Sequence, residues 1–309
     1  MKKMYSKEYE KQVRLLLQCL PLLEALDRFA LKGGTAINFF LKNMPRLSVD
    51  IDLTYLPIEP REETFANIQG DLKKFGDLIE RAIPNSRISL QILPQTGQVV
   101  RLLVYANETQ IKIEPSFVIR GALYSPEYLD LCERAENEFE MSVRQVKTLS
   151  SSEIYAGKIC AALNRQHPRD LFDIYVLLNE QGISNAIRQA FVVYLAGDAR
   201  PFHEMLQPNF LDIESTYQRQ FYRMTREDVA LNELLEARER LVHKISDELT
   251  FNERKFLLSM KLGAPEWNLL PFENLAQLPS LQWKLINIRK MDKKKHAKMV
   301  DKLKSALKL

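Results

Sequence analysis

Hydrophobic positions along the first third of the chain change period several times, and each change marks an element. Val13, Leu16, Leu17 and Leu20 recur at helical spacing and predict a first helix over residues 8–30, broken near Pro21. A Gly33-Gly34 turn follows and opens a short apolar helix to about Lys42. The period then drops to two. Val49 and Ile51 alternate with Asp50 and Asp52 in a strand ended by Pro57 and Pro60. Residues 62–82 return to helical spacing, with Leu72, Phe75, Leu78 and Ile79 as the buried stripe of a charged helix. Three strand-like runs come next, at 87–93, 99–105 and 110–119, the last two flanking a hairpin turn at Asn107-Glu108. Beyond about residue 125 the character changes. Ser150 and Glu153 fit a capping box ahead of a helix to about Asn164. Pro168, a favoured first-turn residue, opens a second helix to about Asn179, and Gly182 ends it. Nearly everything after that reads as helix and loop. The expected fold class is α+β, a mixed α/β arrangement: a small mixed sheet in an N-terminal domain over 1–125, then a mostly helical region over 126–309.

The strand at 49–53 carries the first chemistry. Side chains alternate along a strand, so Asp50 and Asp52 project from one face. Two carboxylates there repel and lose hydration, and a divalent cation relieves both. Hard oxygen ligands suit Mg²⁺, which takes one or two carboxylates and leaves its other positions to water and substrate phosphates. The Gly33-Gly34-Thr35 turn just upstream feeds a helix N-terminus, where backbone N–H groups face an anion. A phosphate cradle and a metal dyad this close in sequence point to phosphoryl or nucleotidyl transfer. A third acid is expected nearby, to complete the metal site or to take a proton. Glu114, on the same face as Lys112 in Ile111-Lys112-Ile113-Glu114-Pro115, fits if its strand pairs beside the dyad; otherwise it is a solvated or salt-bridged residue. Further on, Lys158 stands among Ile154, Ala161 and Ala162, where a lysine either snorkels or meets an anion. The next helix supplies Arg169, Asp170 and Asp173, the two acids sharing one face. Asp170 also suits the first-turn dipole, which is a purely structural reason for it.

Gly33-Gly34-Thr35-Ala36, then Leu47-Ser48-Val49-Asp50-Ile51-Asp52, then Lys158 with Arg169-Asp170-Leu171-Phe172-Asp173, resemble the AbiEii/AbiGii-type nucleotidyltransferase toxins of the DNA-polymerase-β-like superfamily. The motifs span residues 31–175. The resemblance implies a polymerase-β-like nucleotidyltransferase domain at the N-terminus and gives roles to matching positions. Gly34 and Thr35, with Gly33 in the same turn, hold nucleotide phosphates. Thr35 stands where the superfamily often has serine, and a hydroxyl is kept. Asp50 and Asp52 bind Mg²⁺, with Mn²⁺ as the alternative, and Glu114 is counted with them. Ser48 sits beside the dyad. Lys158 contacts the triphosphate, Arg169 and Asp170 are counted with the nucleotide, and Asp173, ahead of Asp170, is the further acid. The implied reaction is attack of an acceptor hydroxyl on the α-phosphate of an NTP, with loss of pyrophosphate. The implied setting is a toxin–antitoxin or phage-defence pair, with tRNA 3′ ends as acceptors in some members and a cognate antitoxin as partner.

Charge adds an acceptor argument. The net +4 is uneven: from Lys284 onward ten Lys/Arg face two Asp, so the tail carries +8 and the rest −4. A basic tail fits an RNA acceptor by phosphate neutralisation, or is simply a solvated, partly frayed amphipathic helix with Leu285, Ile288, Met291, Met299, Leu303 and Leu307 as its stripe. Trp283 and Phe221-Tyr222 could stack bases but are expected in the core. Rival readings keep the enzyme but give it a protein or small-molecule acceptor, or keep only the scaffold as a binding module. Cys19, Cys132 and Cys160 have no metal-ligand spacing and read as reduced core residues. The histidines show no triad or zinc pattern, which disfavours hydrolases. With no apolar run of membrane-spanning length and no leader, a soluble cytoplasmic protein without membrane contact is expected.

Overall fold

A computed structural model of the 309-residue chain describes residues 5–94 and 97–309. The first helix, α1 (Lys7–Cys19), stops where Pro21 lacks an N–H, and the chain tightens into a 3-10 turn over Leu20–Ala25. The expected helix to residue 30 therefore ends early. Phe29–Lys32 is a strand, β1, whose Phe29, Ala30 and Leu31 are all buried, so no alternation betrays it. One helical turn, α2 (Gly33–Ala36), runs into a π-type turn over Ile37–Leu41. Strand β2 (Asp50–Tyr55) and helix α3 (Arg61–Ala82) follow where periodicity placed them. Then come β3 (Arg87–Ile92), β4 (Val99–Ala106) and β5 (Thr109–Ser116). Asn107 and Glu108 both have positive φ, 49° and 59°, the signature of a type I′ hairpin loop whose twist matches its strands. Two short strands that no period reveals, β6 (Glu127–Leu129) and β7 (Val146–Thr148), flank α4 (Glu133–Phe139).

The seven strands form one mixed sheet in the order β3-β4-β5-β2-β1-β7-β6. Pairing is parallel at β2/β5 and β1/β7 and antiparallel elsewhere. Ile51, Leu53, Leu102, Ile111 and Ile113 are buried beneath it, α1 packs on β5, and α3 packs on β3 and β4. This is the mixed α/β sheet followed by helices that the sequence predicts, with more strands.

The chain divides into two compact units, Met1–Ile154 with Tyr222–Asp228, and Tyr155–Phe221 with Val229–Leu309. The sheet-bearing unit thus extends past the 125/126 division expected, because β6 and β7 complete the sheet. It also recruits residues 222–228, a distant segment. Leu47 N donates to Met224 O at 2.8 Å, and Arg46 forms a β-bridge with Thr225. At the unit boundary, α5 (Ser151–Arg165) begins as the capping box predicts: Glu153 N donates to Ser150 Oγ at 3.3 Å. The Glu153 carboxylate accepts from Leu123 N (2.9 Å) and Tyr124 N (3.1 Å), pinning the preceding loop.

The second unit is helical: most of α5, then α6 (Pro168–Glu180), α7 (Asn185–Gly197), α8 (Phe202–Leu206), α9 (Glu214–Gln220), α10 (Leu231–Glu248), α11 (Phe251–Leu262), α12 (Pro279–Arg289) and α13 (Lys293–Leu307). Helix α6 packs on α10, and α13 packs on α8 and α11. Phe221 is buried against Phe172 and Tyr217, as expected. Tyr222 and Trp283 depart from the expected core and are exposed. Among the described residues no helix is long and apolar enough to cross a membrane.

The hairpin loop offers a test. Glu108 occupies a left-handed conformation that costs an L-residue about 1–2 kcal/mol. Its pair with Lys11 is exposed and contributes little. Glu108→Gly is expected to stabilise the protein by roughly 0.5–1 kcal/mol after the extra unfolded-state entropy of glycine. A higher urea midpoint at unchanged slope checks it.

Candidate active site

The sheet register builds the site. Asp50 and Asp52 leave one face of β2, while Ile51 and Leu53 are buried from the other. In the parallel pairing, Asp50 lies level with Lys112 and Asp52 with Glu114. Across the antiparallel partner, Lys32 lies level with Asp52. Arg101 on β4 ion-pairs with Glu114, Nε to Oε1 at 3.0 Å. A lateral row therefore crosses four adjacent strands as Arg101, Glu114, Asp52, Lys32, with two acids between two bases. Burial pushes the Lys32 ammonium below its usual range, and the Asp52 charge opposes that shift.

The glycine turn is fitted against this row. Gly33 has φ of +74°, and a Cβ on it would collide with Asp52 Oδ2. A Cβ on Gly34 would come within 2.8 Å of Arg46 Nη2 and 2.9 Å of Ser48 Oγ. Only two glycines let the turn approach the carboxylate and its neighbours this closely. Thr35 is fully buried; its hydroxyl donates to Asp50 O at 2.6 Å and lies 3.1 Å from Ser48 Oγ. The Thr35 and Ser48 hydroxyls thus tie the turn to the start of β2. Asn38 Nδ2 donates to Gly34 O at 2.8 Å, fixing the turn from the other side.

For a divalent cation the fit is good at the dyad: two carboxylates on one face, one of them set against a turn where any side chain would intrude. Asp50 and Asp52 are the residues that would hold it. Glu114 is brought level with Asp52 as expected, and its carboxylate is engaged by Arg101. Among the described residues no set of three or more His, Cys, Asp or Glu side chains is arranged as a ready metal cluster.

The later motif forms a buried ion cluster in the helical unit. Lys158 Nζ on α5 lies 2.8 Å from Asp170 Oδ1 and 3.0 Å from Asp173 Oδ2, both on α6. Arg165 adds bonds of 2.6 and 3.1 Å to Asp170. Lys158 is 7% exposed and each aspartate 1%. Burial alone would raise the Asp170 carboxyl, but Lys158 and Arg165 outweigh it and hold it well below the usual carboxylate range. Both aspartates contact Lys158, so Asp170 and Asp173 belong to one cluster. Arg169 is half-buried, and its N–H donates at 3.1 Å to His167 Nδ1, the N-cap of α6. Burial lowers the His167 pKa, in keeping with a bare Nδ1.

Three residues of the first site escape the sequence reading. Arg46 is 2% exposed, donates to Leu47 O at 2.8 Å and touches the glycine turn. It stands two before Ser48 and four before Asp50, so running the two-residue period of β2 backwards would have found it. Lys32 and Arg101 emerge only from strand register.

A mixed sheet with a glycine turn against paired aspartates on the neighbouring strand is the architecture of a nucleotidyltransferase. The chain belongs to the AbiEii family, nucleotidyl transferase toxins of type IV toxin–antitoxin systems, whose family model matches residues 14–287. Membership makes it a nucleotidyltransferase enzyme and implies an NTP substrate and a cognate antitoxin. Among solved structures it resembles MenT4, a nucleotidyltransferase toxin from Mycobacterium tuberculosis H37Rv, with TM-score 0.63 and 17% identity over 90% of this chain and 95% of that one. The chain has no match among curated proteins.

Two substitutions test the geometry. Gly33→Ala is expected to cost about 1–2 kcal/mol in backbone strain and to displace the Asp52 carboxylate, so that transferase activity falls far more than the melting temperature. The second exploits Asp170. A carboxylate with a depressed folded pKa contributes stability that is complete above its ordinary value of about 3.9 and is lost as pH falls below it. Asp170→Asn is expected to destabilise by about 1–3 kcal/mol at neutral pH, because Lys158 keeps only Asp173 and Arg165 loses its carboxylate. The gap to wild type should persist down to about pH 4 and narrow only below that. Urea titrations across that range decide it.

Proposed function

We propose that this toxin transfers a nucleoside monophosphate from an NTP to a hydroxyl at the 3′ end of tRNA, in the cytoplasm, with Mg²⁺ as its ion and Mn²⁺ as the alternative. The observation that carries the reading is the paired Asp50 and Asp52 on one face of β2, set against a turn that tolerates no side chain. The ion they would hold supplies charge neutralisation at the triphosphate. Backbone N–H groups of Gly33, Gly34 and Thr35 are assigned to phosphate oxygens, because the Thr35 hydroxyl is already committed to Asp50 O. Ser48 and Arg46 brace that turn.

In the transfer the acceptor oxygen bonds to the α-phosphorus and the bond to pyrophosphate breaks. We assign the hydroxyl proton to Glu114, which lies one strand from Asp52 and is oriented by Arg101. The triphosphate role of Lys158 requires it to exchange a carboxylate for a phosphate oxygen, leaving Arg165 to hold Asp170; Arg169 and Asp173 complete that motif. Positioning and charge supply most of the acceleration.

The test incubates the protein with each α-labelled NTP, Mg²⁺ and total tRNA, beside Asp50→Ala/Asp52→Ala. Label is expected on RNA with the wild type only. The double variant should lose activity by at least about 10³-fold while melting at or above the wild-type temperature, since two like charges have been removed. Label on protein instead would replace tRNA with a protein acceptor. Undiminished transfer by the double variant would overturn the assigned site.

A further inference from the structure

The C-terminal helix is built against its own electrostatics. Helix α13 carries Lys293, Lys294, Lys295, Lys298, Lys302 and Lys304, all exposed, with Asp301 as its one acid. It is not a frayed tail: Val300, Leu303, Ala306 and Leu307 are buried, and it packs on α8 and α11. Lys294, Lys298 and Lys302 follow at i, i+4 and i+8, a single row opposite that buried stripe. Like charges at this spacing destabilise a helix. Lys293, Lys294 and Lys295 also fill the first turn, where the helix dipole disfavours cations. Among the described residues no carboxylate pairs with any of the six. The N-cap Asp292 turns its carboxylate onto Lys295 N at 3.0 Å, and nearby Glu204 pairs with Arg200.

A second observation lies beneath this face. Lys261, in the last turn of α11, is 6% exposed. Its Nζ has the thioether sulfurs of Met291 and Met299 as neighbours, at 3.9 and 3.8 Å, and no carboxylate partner among the described residues. Burial and then the charge of Lys295 press its pKa down. Burial lowers the pKa of His203 on α8; the neighbouring Glu204 opposes that shift, and Lys302 and Lys261 add to it. A buried, uncompensated ammonium beside a run of unpaired lysines is costly for the folded protein alone. A sugar–phosphate backbone laid along the exposed lysines relieves the like-charge row and the cations at the helix N-terminus, and its negative potential offsets the charge of Lys261 beneath them.

We propose that the lysine face of α13, with Lys261 beneath it, is the surface on which this enzyme docks the phosphate backbone of its RNA acceptor. The inference rests on the RNA-acceptor reading above and names the part of the molecule that would serve it.

The test uses the full chain and fluorescently labelled total tRNA, followed by anisotropy between about 50 and 200 mM salt. Magnesium–NTP binding is measured alongside. Lys294→Glu/Lys298→Glu/Lys302→Glu is expected to weaken tRNA binding at least tenfold and to lower the salt slope by about 2–3, as the loss of three phosphate contacts requires. Its NTP binding should stay unchanged, which reports that the fold is kept. The matching triple Gln variant, which removes charge without reversing it, should show the same slope change. If wild type and both variants bind tRNA equally with equal slopes, the face is not the docking surface, and the RNA acceptor stands. If the wild type binds NTP but no tRNA even at the lowest salt, both the surface and the RNA acceptor fall.

Discussion

Holding two carboxylates side by side on a sheet is the constraint around which the first unit is arranged. Neighbouring strands lie only about 4.8 Å apart, so Asp52 and Glu114 sit at a separation where like charges repel by on the order of 3 kcal/mol at an effective dielectric near 20. The sheet answers with a base on each outer side, Lys32 and Arg101, and with a turn whose glycines bring backbone N–H groups close. Strand order, register and the glycine turn all serve that one row. The order that sets β5 beside β2 and β2 beside β1 brings together residues from four places in the sequence.

The helical unit handles buried charge in a contrasting way. Lys158, Arg165, Asp170 and Asp173 form a quartet with two positive and two negative members, so its burial is compensated from within. Lys261 and the α13 lysines have no such compensation. In the first arrangement Lys158 is the shared member, and its removal leaves two buried carboxylates without their common partner. The second leaves its charge to solvent, and it is the face proposed above for an anionic partner.

Much of this was legible in the sequence where period and chemistry coincide. Alternation placed Asp50 and Asp52 on one face, helical spacing placed α3, and Pro168 placed α6. The Asn107-Glu108 turn was readable because it separates two alternating runs. What stayed hidden depended on pairing partners. Strand β1 is too short and too uniformly buried to show a period, and β6 and β7 are three residues each. Lys32 and Arg101 looked like ordinary surface bases until register set them at the ends of the acidic row. Lys158 read as a residue awaiting an anion, and the structure supplies that anion from the protein itself. The exposure of Trp283 had no signal at all, since an aromatic among apolar neighbours reads as core.

The segment at 222–228 has a consequence for how the molecule is made. It pairs with Arg46 and Leu47, the residues leading into the aspartate strand, yet lies in the sequence beyond all of α5 to α9. At usual synthesis rates several seconds separate emergence of β7 from emergence of that segment. Throughout that interval the nascent chain holds every sheet strand but lacks the piece that secures the entrance to β2. The sheet-bearing unit is therefore completed only after α5 to α9 have been made.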